Sequence, residues 1–263
     1  MRMNKVPRPC YSPFAARFAR WYIPRFVRKG FHSVLLDSQS VIPRASSPTV
    51  IYLNHPSWWD PLIGAVVACR FYPRHRHYSP IDAESLQQYP IMRKLGFFPV
   101  HKNTVRGAAE FLQTSRTVLQ ENNAILWVTP QGNFVDAAIR PVSFKPGLGH
   151  LARDIRPVTF VPMALEYVFW QDRLPEALIS LGAAINPEMY PRQTAAQWTA
   201  FLAAHLQQQQ DVLRKKVVLR TTQSFTTLLK RRSAVGGIYD VCMRLTGRKH
   251  VSESTEQCEQ DGL

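Results

Sequence analysis

The sequence predicts an α/β protein: a mixed, largely parallel sheet flanked by helices. Two observations carry this reading. Short apolar runs rich in β-branched residues recur at 49–53, 77–81, 96–101, 124–129, 158–167 and 177–185. Helical patterns fill the gaps between them, at 61–71, 86–94, 104–122, 146–154 and 194–216. Strands alternating with helix-length segments pair mostly in parallel, because each crossover returns the chain to the same end of the sheet. At 263 residues the chain holds one such domain, of roughly 200 residues, plus appendages. No internal repeat is present, and the run 207–210 of four glutamines reads as the continuation of a solvated helix.

The net charge is +15, and it is concentrated at two flanks. Residues 1–36 carry eight Lys/Arg and no acid, and residues 212–250 carry ten against Asp240. The stretch between is nearly neutral, and the last dozen residues are acidic and read as disordered. Each flank interleaves its cations with apolar side chains. The first sets Phe14, Phe18, Trp21, Tyr22, Phe26 and Phe31 among Arg17, Arg20, Arg25, Arg28 and Lys29. The second sets Val217, Val218, Leu219, Phe225, Leu228 and Leu229 between Arg214-Lys215-Lys216 and Lys230-Arg231-Arg232. Such segments suit an interfacial helix on anionic lipid, where each nearby cation adds on the order of 1 kcal/mol. They also fit helices packed on the domain with a solvated basic face. Nucleic acid is disfavoured, since no RNP, zinc-finger or clear helix-turn-helix signature is present.

Cys10, Cys69, Cys242 and Cys258 show neither CxxC pairing nor metal-ligand spacing, which reads as reduced thiols in a cytosolic setting. No run of eighteen apolar residues suggests a spanning helix, and Arg17, Arg20, Pro24 and Arg25 interrupt any signal-peptide apolar region. A zinc site on His75, His77 and His101 is disfavoured, because Arg74 and Arg76 crowd the pair and no acidic or Cys ligand has suitable spacing. His101 reads as a loop or surface histidine.

The chemistry is expected in Asn54-His55-Pro56-Ser57-Trp58-Trp59-Asp60, which follows the run 49–53. In parallel sheets reactive groups gather past the carboxyl ends of strands. A histidine there can act as general base. An Asp at the start of the next helix can fix its tautomer and stabilise the imidazolium. A nucleophilic serine is not needed when a substrate supplies the attacking hydroxyl. The competing reading is a capped helix start, with Ser57 or Asn54 as N-cap and Asp60 in the first turn.

With three later segments, this stretch resembles block I of the glycerolipid acyltransferase (lysophosphatidic acid acyltransferase) superfamily. Gly96-Phe97-Phe98-Pro99-Val100-His101-Lys102-Asn103 resembles block II, with Lys102 where an Arg is common. Thr129-Pro130-Gln131-Gly132-Asn133-Phe134 sits where the family has Pro-Glu-Gly-Thr-Arg; Pro130 and Gly132 match, whereas Gln131, Asn133 and Phe134 depart. Phe160-Val161-Pro162-Met163-Ala164-Leu165-Glu166-Tyr167 resembles block IV, which lines the acceptor pocket.

The resemblance implies transfer of a fatty acyl group from acyl-CoA or acyl carrier protein, as co-substrate, to a hydroxyl of a lysophospholipid or related membrane lipid. His55 and Asp60 are the implied catalytic pair. Asn54, Ser57, Lys102, Gln131, Gly132, Asn133 and Pro162 are the implied substrate-binding residues, with no metal and no bound cofactor. Losing the Glu and Arg of the third block weakens a lysophosphatidate assignment, and Gln131 and Asn133 would suit a neutral acceptor such as a glycolipid or glycosylated carotenoid. Arg140 and Lys145, just downstream, are candidates to restore a cation. A thioester hydrolase and an inactive lipid-binding protein are the other readings. The expected organisation is a membrane-associating basic amphipathic segment at 1–36, an acyltransferase domain at 37–211, a basic amphipathic helical segment at 212–250 and a disordered tail at 251–263. The expected location is the cytoplasmic face of a membrane, peripheral or monotopic.

Overall fold

A computed structural model describes residues 9–45 and 47–231, and its centre is a single eight-stranded sheet. The strands are β1 (Ser33–Asp37), β2 (Thr49–Leu53), β3 (Arg76–Asp82), β4 (Phe97–Val100), β5 (Ala124–Val128), β6 (Thr159–Val168), β7 (Glu176–Leu181) and β8 (Phe225–Lys230). The helices are α1 (Pro13–Gly30), α2 (Asp60–Phe71), α3 (Ala83–Gln88), α4 (Val105–Val118), α5 (Gly147–Asp154) and α6 (Ala195–Val218). The strand order is β4-β3-β5-β2-β6-β7-β1-β8. The first five run parallel to one another. β7 is antiparallel to β6, β1 is parallel to β7, and β8 closes the far edge antiparallel to β1. The mixed, largely parallel α/β sheet expected from the sequence is what forms.

β2 lies between β5 and β6, and all five of its residues are buried. Alternate residues of a strand face opposite sides. Ile51 and Leu53 therefore join Val27 and Phe31 at the end of α1 and Ile63, Val66 and Val67 of α2 in one core layer. Val50 and Tyr52 join Leu148 and Leu151 of α5 and Trp198, Leu202 and Leu206 of α6 in the other. Burial on both faces is why this central strand reads as a continuous apolar run rather than an alternating one. The parallel block also brings the carboxyl ends of β2, β3, β4, β5 and β6 to one edge of the sheet.

Several expectations change. The sheet takes in two strands not foreseen, β1 and β8, so the fold reaches back to Ser33 and forward to Lys230, beyond the expected limits 37–211. The expected helical segment at 212–250 holds only as far as Val218. Phe225–Lys230 is a strand, and Leu229 is buried in the core beneath α1 and α2. Residues 232–250, and the tail 251–263, lie outside the described residues. The expected helix 86–94 splits into α3 and a separate 3-10 turn at Pro90–Lys94, because the residue before a proline is pushed out of helical conformation. The glutamine run is not solvated throughout. Gln207 accepts from the Val142 amide at 2.9 Å, Gln209 donates to Ser180 Oγ at 2.6 Å, and Gln210 is buried and donates to Ala137 O at 3.2 Å.

Candidate active site

β2 ends at Leu53, and the next seven residues make the site. Asn54 is fully buried, and its side-chain amide donates to Leu165 O at 2.9 Å while its oxygen accepts from Leu165 N at 2.8 Å. That double bond to β6 leaves no part of Asn54 for a substrate, so its expected binding role is replaced by anchoring the loop. Ser57 Oγ accepts from Trp59 N at 3.2 Å, a local turn, and neither Ser57 nor Asn54 caps α2.

Asp60 opens α2 and is 1% exposed. A buried carboxylate must have every lone pair answered. Its Oδ2 faces His55 Nδ1 at 2.6 Å and accepts from the Ser57 amide at 3.1 Å; its Oδ1 accepts from the Tyr167 hydroxyl at 2.7 Å. Its place in the first turn also puts the negative charge at the positive end of the helix dipole. With Nδ1–H donating to the carboxylate, His55 carries its lone pair on Nε2, the state that can take a proton from a hydroxyl. Burial and the neighbouring Asp60 charge hold the Tyr167 hydroxyl well above the usual phenol range, so it stays a donor.

The end of β5 completes the surroundings of His55. Gln131 Oε1 accepts from the His55 amide at 2.9 Å, and the His55 carbonyl accepts from Val135 N at 2.9 Å. Gln131 therefore fixes the backbone of the histidine, and its carbonyl oxygen is occupied rather than offered to a sugar. Phe134 lies with its ring 4.4 Å from the imidazole and is 60% exposed. Gly132 adopts φ 73°, the left-handed region natural to glycine, and its amide donates to Thr129 O at 3.0 Å. Asn133 is exposed beside it, as is Lys102 in the turn after β4.

Pro162 is buried inside β6, opposite Tyr52 of β2, and does not reach the site. It sits where the β6–β7 ladder is interrupted. Between the bridge Phe160↔Ile185 and the pair Met163↔Leu181, two residues of β6 face three of the other segment, a bulge. A proline in an interior strand is tolerated at such a break.

His75, His77 and His101 each have partners of their own. His75 Nε2 lies 3.0 Å from Ala45 O, His77 lies between Tyr72 O and the Trp127 indole, and His101 Nδ1 lies 2.7 Å from Glu110. Among the described residues no group of three His, Cys, Asp or Glu side chains is disposed to hold a metal ion.

The Acyltransferase family model matches residues 34–166, half of the chain, and spans the His55–Asp60 pair. The chain belongs to the acyltransferase family. The match stops one residue short of Tyr167, and it leaves α1 and α6 outside. Among solved structures, the fold resembles the crystal structure of the 1-acyl-sn-glycerophosphate (LPA) acyltransferase PlsC from Thermotoga maritima. The TM-score is 0.55 at 15% identity, covering 76% of this chain and 79% of that one. At that identity the shared property is the fold. No curated protein matches the chain.

Tyr167 ends the fourth motif, and its contact with Asp60 is the part of the site that sequence reasoning missed. The signal was faint: a tyrosine at the end of a strand whose neighbour in the sheet is the strand leading to His55.

Proposed function

We propose that this acyltransferase moves a fatty acyl group from a thioester, acyl-CoA or acyl carrier protein, to a hydroxyl of a lysophospholipid or related membrane lipid. The observation that carries the proposal is the 2.6 Å contact between His55 Nδ1 and the buried Asp60 carboxylate. His55 Nε2 takes the hydroxyl proton as the acceptor oxygen attacks the thioester carbonyl. The tetrahedral intermediate then expels the thiolate, and His55 returns the proton to that sulfur. Asp60 stabilises the imidazolium between the two transfers, a contribution of roughly 10²- to 10⁴-fold. The Gly132 amide is engaged within its own turn, so the following amides, of Asn133 and Phe134, are the ones proposed for the developing oxyanion. The thioester supplies its own leaving group, and this chemistry requires no metal or redox cofactor.

The proposed place of action is the cytoplasmic face of a membrane, and the outer side of helix α1 is what supports a role at a lipid surface. Its inner side is buried through Val27, and its outer side exposes Phe14, Phe18, Trp21 and Tyr22, each 45% or more exposed. Phe18 stacks on Tyr22 at 5.8 Å, Tyr22 on Phe26 at 5.8 Å, and Phe26 meets Trp59 at 5.6 Å. This ridge of rings, flanked by Arg17 and Arg25, runs along α1 from Phe18 to Phe26 and on to Trp59, the residue before Asp60. It matches an interfacial helix that delivers a lipid to the pair. No described helix is long and apolar enough to cross a membrane.

The test is a radiolabelled acyl-CoA transfer assay on total lipid extract, wild type beside His55→Ala, with products identified by mass. A labelled lipid made by the wild type alone is the expected result. Equal transfer by a folded His55→Ala variant would remove His55 as the base, and release of free fatty acid alone would make the protein a hydrolase.

A further inference from the structure

Helix α1 ends against the candidate site. Gly30 closes the helix, and Phe31 follows in extended backbone with its amide donating to Val27 O at 3.0 Å. The Phe31 side chain is buried, 2% exposed. Its ring meets Trp59 edge-on, with centroids 4.9 Å apart, and meets Tyr167 at 5.6 Å. Those two residues support Asp60 by different routes. Trp59 precedes it in the chain, and the Tyr167 hydroxyl donates to its Oδ1 at 2.7 Å. One ring therefore braces both supports of the buried carboxylate.

Trp59 is held so that a displacement of its indole reaches the helix start. Its amide donates to Ser57 Oγ at 3.2 Å and its carbonyl accepts from Ile63 N at 3.0 Å, which builds it into the first turn of α2. The indole is also in contact with Phe26 at 5.6 Å and Trp58 at 5.6 Å. Gly30 supplies a further wall. A Cβ there would stand 2.7 Å from Trp59 Cη2 and 2.9 Å from Cζ2, closer than real Cβ atoms come. Gly30 is not among the residues with positive φ, so the space that the indole takes is the reason for glycine. An indole is rigid and has no flexible end to yield. Trp59 and Asp60 share a planar peptide unit, so pushing one moves the other.

We infer that the end of α1 positions the catalytic pair: Gly30 and Phe31, acting through Trp59 and Tyr167, set the place of Asp60 and with it the direction of His55 Nε2. All four act on the base through Asp60, so they are positioning residues. The kinetic part of this inference rests on the acyltransferase reading; the geometric part does not. Placement matters at this scale, since a misplacement of about 1 Å can cost on the order of 100-fold in rate. The arrangement also makes the lipid-facing helix and the site one packed unit. The helix that exposes Phe18 and Tyr22 on its outer side ends in the residues that brace Asp60.

The experiment compares wild type with Gly30→Ala, Gly30→Ala/Trp59→Phe, Phe31→Leu, Phe31→Leu/Tyr167→Phe and, as a destabilised control outside the site, Lys216→Met. Activity is assayed with acyl-CoA and the acceptor that the total-lipid assay identifies. Gly30→Ala pushes on the indole, and Phe31→Leu removes the bracing ring but keeps an apolar side chain. Each is expected to lower kcat roughly 10-fold, with KM for both substrates little changed. Trp59→Phe removes the atoms that the new Cβ meets, and should recover part of the loss in Gly30→Ala. Phe31→Leu and Tyr167→Phe act on one carboxylate, so their joint loss should fall well short of the product of the separate ones. Should Phe31→Leu fail to fold, Gly30→Ala and its suppressor carry the test. Wild-type kcat in both Gly30→Ala and Phe31→Leu, or an equal loss in Lys216→Met, overturns the inference. A second readout needs no turnover. The Nδ1 proton of His55, held across 2.6 Å to Asp60, is followed as a downfield proton resonance that His55→Ala removes. It should shift or vanish in Gly30→Ala and Phe31→Leu and stay in place in Lys216→Met. If the wild type transfers nothing, the general proposal fails and this resonance decides. Positioning stands on a shift confined to the α1 variants, and falls if every folded variant that retains His55 gives the wild-type signal.

Discussion

The Tyr167 hydroxyl donates to Asp60 Oδ1 at 2.7 Å, on the carboxylate oxygen that His55 leaves unused. Asp60 is thereby held from three directions, by β6, by its own loop and by the histidine, in a place closed to water. Fixing the carboxylate fixes the imidazole, since the direction of the Nδ1 bond sets where Nε2 points.

Tyr167→Phe is therefore expected to lower kcat about 5- to 10-fold, the effect of losing on the order of 1 kcal/mol of positioning. KM should change little, and the thermal midpoint should move by a few degrees at most. Asp60→Asn should cost far more, because the imidazolium loses its counter-charge. Steady-state kinetics with melting curves check both. An unchanged kcat in Tyr167→Phe would reduce the tyrosine to a packing role.

A sequence displays neighbours in the chain and hides partners made by tertiary pairing. His55 and Asp60 are close in the chain, and the strand before them has an unmistakable apolar run, so their pairing was legible. The family resemblance implies Asn54 and Gln131 as substrate ligands, because they stand in its first and third motifs. Their partners, the Leu165 backbone 111 residues away and the His55 amide 76 residues away, are fixed only by tertiary pairing. β1 and β8 escaped for the same reason. β1 and, in β8, Leu229 are buried by pairing with each other across the length of the chain, while the cations around them suggested a helix at an interface. Arg214 and Lys216 read as part of that interface, yet both are paired with carboxylates of the domain, Glu166 and the buried Asp37.

The aromatic ridge on α1 leads to a membrane test that spares the fold. Deleting residues 1–36 would remove Val27, Phe31 and most of β1 from the core, so the deletion cannot distinguish binding from unfolding. Phe18→Ser with Trp21→Ser alters only exposed rings, 56% and 54% accessible. The pair should weaken cosedimentation with anionic vesicles several-fold while leaving the melting curve in place. Binding by the wild type should also fall with added salt, as expected for cations near a charged surface. Vesicle binding that ignores both the substitutions and the salt would make α1 a structural helix.

His77 gives a pH dependence of stability. Its Nδ1 accepts from Trp127 Nε1 at 3.1 Å, and its Nε2 lies 3.1 Å from Tyr72 O, so the neutral ring satisfies both neighbours. Burial is the main cause that lowers its pKa from 6.5 to about 4. A histidine depressed in the folded state binds its proton more readily when unfolded. Its contribution is present above pH 6.5 and is lost as the pH falls from 6.5 towards 4. The thermal midpoint should decline across that window, and His77→Gln should show a shallower decline from a lower starting value. Parallel curves for the two proteins would exclude His77 as the source.

The last prediction concerns Lys216, whose Nζ meets Asp37 Oδ1 at 2.6 Å and Gln39 Oε1 at 2.9 Å. Asp37 closes β1 and is 1% exposed, and Ser180 of β7 donates to its other oxygen at 2.9 Å. Gln209 of α6 donates in turn to Ser180. This chain of contacts joins α6 to two adjacent strands on the side of the sheet away from the candidate site. Lys216→Met keeps the stem of the side chain but strands a buried carboxylate, which costs roughly 3–5 kcal/mol. For a chain of this length that is a fall of about 10 °C in the thermal midpoint. Asp37→Asn added to Lys216→Met removes the stranded charge and should recover several degrees, while kcat per folded molecule stays near wild type in both. A Lys216→Met protein that melts like wild type, or one that loses vesicle binding at unchanged stability, would return this lysine to the surface role its sequence neighbours suggested.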